Sequence, residues 1–343
     1  AAAAEEEERG HARALISRYR EDFEELEQLG KGSFGVVFKC RKRIDGWNYA
    51  VKCLRSTFWG EHKKKLALQE VYAHAALGES PYLLSYYSSW FEGDKTHGEY
   101  LYIQTEFVEN GSVFQMWENG FEFSEPLLRR LLHHVAQGLR HIHQKGLVHL
   151  DIKPENLYLT ASGRFKIGDL GHVTFSNADH QNPDAAELTE GDGHYLASEL
   201  LSGDYANLPK ADIFALALSV SHLAQPPSFR PPDGGGAAWA DTVIAAANSN
   251  SHYGVLSPDA LLPVVRAMLD PDPWVRVGVE SVVAATGEGA GEAEAEVKRL
   301  RRELVRERAA RREAERKEAR LREAVLSMEK AEGTRRATRS GDG

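Results

Sequence analysis

The alternation of apolar and polar positions changes character three times along the chain. Residues 23–109 carry short β-branched or aromatic runs separated by turn residues. Tyr49-Ala50-Val51-Lys52 follows an Asp45-Gly46 turn, and Leu101-Tyr102-Ile103 follows the loop Gly93 to Gly98. Such runs predict strands joined by hairpins. One helix, near His62 to Leu77, interrupts them, so this part reads as an antiparallel sheet carrying a helix.

From 110 to 285 the period lengthens. Leu127, Leu128, Leu131, Leu132, Val135, Leu139 and Ile142 recur on one face of a helix. Ser124 is placed to cap it, Pro126 sits in its first turn and Gly146 closes it. Pro226 to Ala238 is dense in proline and glycine and reads as a loop. The most apolar stretch, Ile213 to Val220, falls far short of the roughly 20 residues a membrane span needs. No membrane insertion is expected.

Glu292 to Lys330 contains neither proline nor glycine and is dominated by Glu, Arg and Lys. It predicts one helix of roughly 58 Å at 1.5 Å per residue. Val297, Leu300 and Leu304 begin a heptad seam, Arg311 and Glu318 interrupt it, and Leu321 and Val325 resume it. The charged middle favours a solvated helix held by i,i+4 ion pairs. The alternative is a weak coiled coil that binds a partner. Gly333 to Gly343 reads as disordered. The organisation is therefore an N-terminal extension (1–22), an α+β domain (23–285, divided into 23–109 and 110–285) and a charged helical tail (286–343).

Composition narrows the class. Of 343 residues, 42% are hydrophobic and 27% charged, as in an ordinary soluble globular protein. The net charge of −9 argues against a nucleic-acid binder. Two cysteines, Cys40 and Cys53, are too few for a disulfide framework, and a reducing compartment is expected. Ala1 to Glu8 lacks the basic and apolar regions of a signal peptide, and without an initiating methionine the chain reads as a fragment.

The candidate chemistry lies in short runs. Gly30-Lys31-Gly32-Ser33-Phe34-Gly35-Val36-Val37 lets backbone approach phosphates and offer N–H groups to them. Dinucleotide-binding folds share such glycines, but there they open a helix. Here Val36-Val37-Phe38 is strand chemistry. Lys52 ends an apolar strand fifteen residues past Val37, and Glu70 lies in the helical run Ala67 to Tyr72. His149-Leu150-Asp151-Ile152-Lys153-Pro154-Glu155-Asn156 follows, and thirteen residues beyond Asn156 comes Asp169-Leu170-Gly171. Asp212, Ala197-Ser198-Glu199 and Arg276 complete the set.

Seven runs in this order, covering residues 30 to 276, resemble the protein kinases. The resemblance implies a bilobal fold, ATP and Mg2+ as cofactors, and a role for each residue. Lys52, paired with Glu70, holds the α- and β-phosphates. Asp151 orients the acceptor hydroxyl and takes its proton, and Lys153 offsets charge on the moving phosphoryl group. Asn156 and Asp169 hold magnesium. Leu29, Gly30, Lys31, Gly32, Ser33, Phe34, Gly35, Val37 and Ala50 face the nucleotide. Thr105 stands at the gatekeeper position, Glu106-Phe107-Val108 reads adenine, and Tyr158 forms a floor beneath the ring. Asp212 anchors the catalytic loop, His149 fixes it, and Glu199–Arg276 is a structural pair. The histidine pairs His133/His134 and His141/His143 read as packed or solvated side chains rather than a metal site. A pseudokinase scaffold is the lesser alternative, because Lys52, Asp151, Asn156 and Asp169 are all present.

Other runs narrow the resemblance. Tyr19-Arg20-Glu21-Asp22-Phe23, Glu70-Val71-Tyr72-Ala73-His74-Ala75, Gly168-Asp169-Leu170-Gly171-His172-Val173-Thr174, Glu190-Gly191-Asp192-Gly193 and Leu208 to Leu218 are similar to the Wee kinases over residues 19 to 285. That likeness implies a nuclear, or else cytoplasmic, enzyme. Its substrate would be a mitotic cyclin-dependent kinase–cyclin complex, phosphorylated on an inhibitory tyrosine to delay mitosis. No apolar segment follows the domain, which favours Wee over the membrane-associated Myt kinases. Local chemistry points elsewhere on the acceptor: Asp151-Ile152-Lys153-Pro154-Glu155-Asn156 is the serine/threonine-type loop. The tyrosine acceptor is implied by the resemblance alone. Two positions depart from pattern. Thr105 stands where Wee relatives have Asn. Leu150 replaces the usual arginine and cannot clamp a phosphate in the activation segment, so activity without phosphorylation there is expected.

Overall fold

The computed structural model describes residues 17–31, 35–55, 61–94, 98–176, 192–287 and Lys317. The predicted charged helix Glu292 to Lys330 lies outside them apart from Lys317, as do Gly32, Ser33 and Phe34. The chain divides into a unit ending at Ala293 and a second from Glu294 to Gly343. The fold that follows is that of the first.

A short helix α1 (Arg18–Asp22) leads into β1 (Phe23–Lys31), β2 (Val36–Lys42) and β3 (Asn48–Arg55), then α2 (Glu61–Leu77), β4 (Tyr86–Asp94) and β5 (Gly98–Glu106). The five strands form an antiparallel sheet in the order β1-β2-β3-β5-β4. Successive side chains on a strand point to opposite faces. Leu54, Leu101 and Ile103 pack on one face with Ala67 and Val71 of α2. Val51, Cys53 and Tyr102 point to the other, where Phe23, Cys40, Trp90 and Tyr19 join them. Lys52 shares the face of Leu54, which turns its ammonium toward α2.

Residues 17–22, assigned by sequence to an extension, are docked on this second face. The Tyr19 ring stacks on Tyr102 at 4.7 Å, and the Arg18 guanidinium lies 4.3 Å over the Trp90 ring. Glu92 collects three donors, from Ser17 Oγ (2.7 Å), Tyr19 N (2.7 Å) and Trp90 Nε1 (2.6 Å).

Helices dominate after the hinge: α3 (Val113–Glu118), α4 (Glu125–Gln144), α5 (Ser198–Leu201), α6 (Pro209–Leu223), α7 (Gly235–Asn248), α8 (Leu262–Met268) and α9 (Val279–Thr286). Between α4 and α5 run the short strands β6 (Leu147–Val148), β7 (Leu157–Leu159), β8 (Phe165–Ile167) and β9 (Thr174–Phe175). The predicted stripe of α4 is buried, Leu127 through Ile142. Each fully buried leucine there contributes about 1.5–3 kcal/mol. Ser124 caps the helix by accepting from Leu127 N, and Gly146 leaves it at φ +71°. Helix α6 is buried on every side from Ala211 to Leu223, which is why its sequence is apolar without a helical period. No helix among the described residues is long and apolar enough to cross a membrane. The bilobal α+β expectation is met.

One expected loop is shorter than Pro226 to Ala238, because α7 begins at Gly235. Gly234 (φ +104°) and Gly235 (φ +75°) turn the chain, and Gly236 permits contact. A Cβ on Gly236 would stand 2.5 Å from Leu196 O, and Gly236 N donates to Gly193 O at 3.1 Å. The start of α7 thus packs directly against the segment that precedes α5.

The lobes are joined behind the cleft by backbone. Leu84 N donates to Ile167 O and Ile167 N to Tyr82 O, both at 2.8 Å. His141 Nε2 reaches Leu77 O at the end of α2, 2.9 Å away.

Candidate active site

The alternation of β3 delivers Lys52 to the cleft, and α2 delivers Glu70 from the opposite side. Lys52 Nζ lies 2.8 Å from Glu70 Oε2 and 3.3 Å from Asp169 Oδ1. Burial works against the ammonium, but Asp169 and Glu70 outweigh it and hold Lys52 above the ordinary lysine range. The Lys52 charge in turn keeps the Asp169 carboxyl well below the usual carboxylate range, against desolvation. Burial raises Glu70, with Lys52 opposing. Lys52 is therefore a fixed cation, and Asp169 a fixed anion.

Asp212, at the start of α6, organises the catalytic loop. It is fully buried and accepts from His149 N (2.9 Å), Leu150 N (2.8 Å) and His143 Nε2 (2.8 Å). Burial alone would raise its carboxyl, but the His143 bond and charge and the His149 contacts bring it below the ordinary value. The grip has a purpose. Leu150 is held at φ +61° and Asp169 at φ +48°, two of three non-glycine residues in the left-handed region among the described residues. Such strain persists only where surrounding bonds over-determine it. His149 links both: Asp151 N donates to its Nδ1 (3.2 Å), leaving Nε2–H to donate to Gly168 O (3.1 Å).

Asp151 is gripped on both oxygens. Lys153 Nζ stands 2.9 Å from Oδ1, and Asn156 Nδ2 donates to Oδ2 (2.7 Å) and to the Asp151 carbonyl (2.8 Å). With its amide nitrogen so committed, Asn156 keeps its carbonyl oxygen for another partner. That oxygen and the ionised Asp169 are hard donors that fit magnesium, which takes one or two protein oxygens and completes its shell with phosphate and water. Gly168 brings the two together: its N donates to Asn156 O at 2.8 Å, and a Cβ there would meet Leu84 and Tyr158 at 2.7 Å.

The nucleotide-facing set is placed by strand register. Leu29, Gly30 and Lys31 end β1, with Gly30 opposite Val37 and Lys31 opposite Val36. Gly35 precedes β2, where a Cβ would stand 2.3 Å from Cys53 O, so only glycine fits. Ala50 faces Thr105 across β3 and β5. At the hinge, Glu106 N donates to Ser85 O (2.8 Å), and its carboxylate pairs with Lys166 of β8 at 2.5 Å. Val108 O accepts from Gly111 N at 3.2 Å. Tyr158 lies on β7 against Gly168, its hydroxyl pushed up to about 12 by burial. Gly32, Ser33 and Phe34 belong to the part outside the described residues.

The other assignments have the expected geometry. Arg276 forks onto Glu199 at 2.5 and 3.2 Å. His133 meets Thr286 Oγ1, His134 the Phe165 amide, His141 a carbonyl and His143 Asp212. No group of three metal-ligating side chains occurs among the described residues. Sequence reasoning missed three tethers: His143 on Asp212, Lys166 on Glu106, and Gln69 Nε2 to Val173 O at 2.6 Å, which ties α2 to the segment after Asp169. Only the last had a visible signal, the distinctive Gly168 to Thr174 run.

The protein kinase domain family matches residues 23–286. The chain is 40% identical over 287 residues to Wee1-like protein kinase 2 of Danio rerio, covering 76% of this chain and 51% of that protein. It is 39% identical over 287 residues to Wee1-like protein kinase 2 of Gallus gallus, covering 76% and 48%. Against the Homo sapiens protein of that name it is 40% identical over 252 residues, covering 66% and 42%. The chain thus spans about half the length of the curated relatives it matches. It belongs to the protein kinase family, and its kinase domain is of the Wee type.

Proposed function

We propose that this chain transfers the γ-phosphate of MgATP to a tyrosine hydroxyl of a mitotic cyclin-dependent kinase, and so restrains entry into mitosis. The observation that carries the reading is the convergence of Lys52, Glu70 and Asp169 from β3, α2 and the turn after β8, beside Asp151 and Asn156. Asn156 and Asp169 would hold magnesium, which would supply positive charge against the phosphates. Lys52, cationic at all working pH, binds phosphate oxygens. Asp151 orients the acceptor hydroxyl for in-line attack and takes its proton, while Lys153 offsets charge on the moving group. The family likeness supports this choice of acceptor and substrate, and a nuclear site of action is part of the same proposal.

The test is incubation of the purified chain with MgATP and an inactive cyclin-dependent kinase–cyclin complex, followed by phosphoamino-acid analysis. Phosphotyrosine is expected, and Asp151→Asn abolishes it. Phosphoserine or phosphothreonine alone would establish the second reading, a serine/threonine kinase, which the 2.9 Å Lys153–Asp151 pair favours. Because Leu150 replaces the phosphate-clamping arginine, phosphatase treatment beforehand leaves the rate unchanged.

A further inference from the structure

The roles above leave one residue of the Gly168 to Thr174 run without a task. His172 stands in the turn after Asp169-Leu170-Gly171, its side chain 28% exposed. Its Nδ1 is buried from water and has no hydrogen-bond partner. Leaving such an atom unsatisfied costs about 1–3 kcal/mol, and in folded proteins each case calls for a reason.

The reason lies opposite. Asp151 Oδ2 is 3.7 Å from this nitrogen. That exceeds the usual hydrogen-bond limit of about 3.2 Å, yet it is short of the roughly 4.5 Å that two bonds through a bridging water would span. Oδ2 already accepts from Asn156 Nδ2 and, as a carboxylate oxygen, has a second lone pair. The backbone on either side of the ring is held: Gly171 N donates to Asp169 Oδ1 at 3.3 Å, Val173 N donates to Leu170 O at 3.2 Å, and Val173 O accepts from Gln69. A small swing of the ring closes the gap without moving the chain.

We propose that His172 is a positioning residue for Asp151: with the acceptor seated, its Nδ1–H donates to Oδ2 and fixes the carboxylate facing the acceptor hydroxyl. The inference rests on the kinase reading above. Lys153 and Asn156 alone grip Asp151 from two directions, and a third donor removes the remaining rotation about its carboxyl bond. No proton moves to or from His172. The acceptor's proton still passes to Asp151.

Two measurements test it. In kinetics, His172→Leu lowers kcat about 10- to 100-fold, with the KM for ATP unchanged and the unfolding midpoint not lowered, since the unsatisfied Nδ1 is removed. His172→Asn, whose amide nitrogen falls near the Nδ1 position, recovers most of the loss. Equal losses in both variants would overturn the proposal. The second measurement needs no turnover: 15N NMR of histidine-labelled protein with magnesium, a non-hydrolysable ATP analogue and a tyrosine peptide. A Nδ1–H signal is expected that disappears in His172→Asn and shifts in Asp151→Asn. An Nε2–H tautomer indifferent to Asp151→Asn would refute the bond. If the parent chain transferred no phosphate at all, the kinase reading would fall, and the tautomer signal would still decide the His172–Asp151 contact.

Discussion

Two buried ion pairs in this molecule use the same chemistry for opposite ends. Arg276–Glu199 is sealed, with side-chain exposures of 0% and 7%. Its fork is bidentate, and two further arginine N–H groups donate to Asp270 O and Lys210 O, both at 2.8 Å. The guanidinium also lies 4.8 Å over the Phe214 ring. Lys52–Glu70 is a single bond, its lysine 21% exposed, with a second carboxylate 3.3 Å away. Four of the five arginine N–H donors of the first pair are spent on the fold. The second keeps donors pointing into a cleft. Saturation under burial marks a pair that holds shape, and an unsaturated pair at a cleft edge marks one that binds.

Lys52→Met gives the largest expected effect and breaks only the second pair. Lysine here does the charge work of an arginine finger, so transfer falls by roughly 10³–10⁵-fold, or about 4–7 kcal/mol of barrier. Glu70, 8% exposed, also loses its cation, so stability to urea falls, but by less than in Arg276→Met because Asp169, 40% exposed, stays hydrated. Arg276→Met should do the reverse. It strands Glu199 in the interior and costs about 3–5 kcal/mol of stability. Adding Glu199→Met restores most of that, since a well-packed apolar pair is often no worse than the ion pair it replaces. An Arg276 variant as stable as the parent would erase the contrast.

Both pairs were legible in the sequence, and for a shared reason. Lys52, Glu70, Asp151, Asn156, Asp169, Asp212 and Glu199 sit in short runs where chemistry restricts residue type and spacing together. The tethers that tune them were not legible. Lys166 reaches Glu106 across 60 positions and His143 reaches Asp212 across 69. Neither local composition nor periodicity encodes a partner that packing alone brings near. The same limit explains Gly236: glycine density signals irregular backbone, whereas here it admits a close approach to Leu196 at the start of a helix. It also explains α1, whose docking depends on aromatic rings from β1, β4 and β5 that no sequence window contains.

Acid sharpens the comparison from the side of α2. His74, one turn beyond Glu70, stacks on Tyr86 at 4.9 Å and is lowered to about 4, chiefly by burial with Lys52 adding. His222, bonded to the Tyr195 hydroxyl at 2.6 Å among Trp117, Trp239 and Phe229, is likewise lowered to about 4. The unfolded chain takes up these protons near pH 6.5, whereas the native state resists until near pH 4. Stability therefore falls as pH drops through that window, by roughly 2 kcal/mol per histidine between pH 7 and 5. Urea titrations at the two pH values should show His74→Phe losing about 2 kcal/mol less than the parent. Equal losses would mean that His74 is not held neutral against Tyr86.

The smallest expected effect asks whether saturation or burial makes Arg276–Glu199 costly to break. Glu92 is saturated too, by Ser17, Tyr19 and Trp90, but it stands half-buried at the surface of the sheet. Glu92→Gln keeps its shape but loses the charge: with Nε2 turned to Ser17 Oγ, whose hydroxyl can accept, the three contacts persist as weaker neutral bonds. Water reaches the site, and the cost is about 1 kcal/mol in urea unfolding. Residues 17–22 then dock less firmly, and limited trypsin digestion at Arg18 and Arg20 accelerates before the rest of the lobe is cut. A loss as large as that of Arg276→Met would show that a full complement of bonds is expensive to disturb wherever it lies. A loss of about 1 kcal/mol assigns the difference to exclusion of water. On that account Lys52, open to solvent on one side, can be shared with a phosphate without unfolding the lobe that presents it.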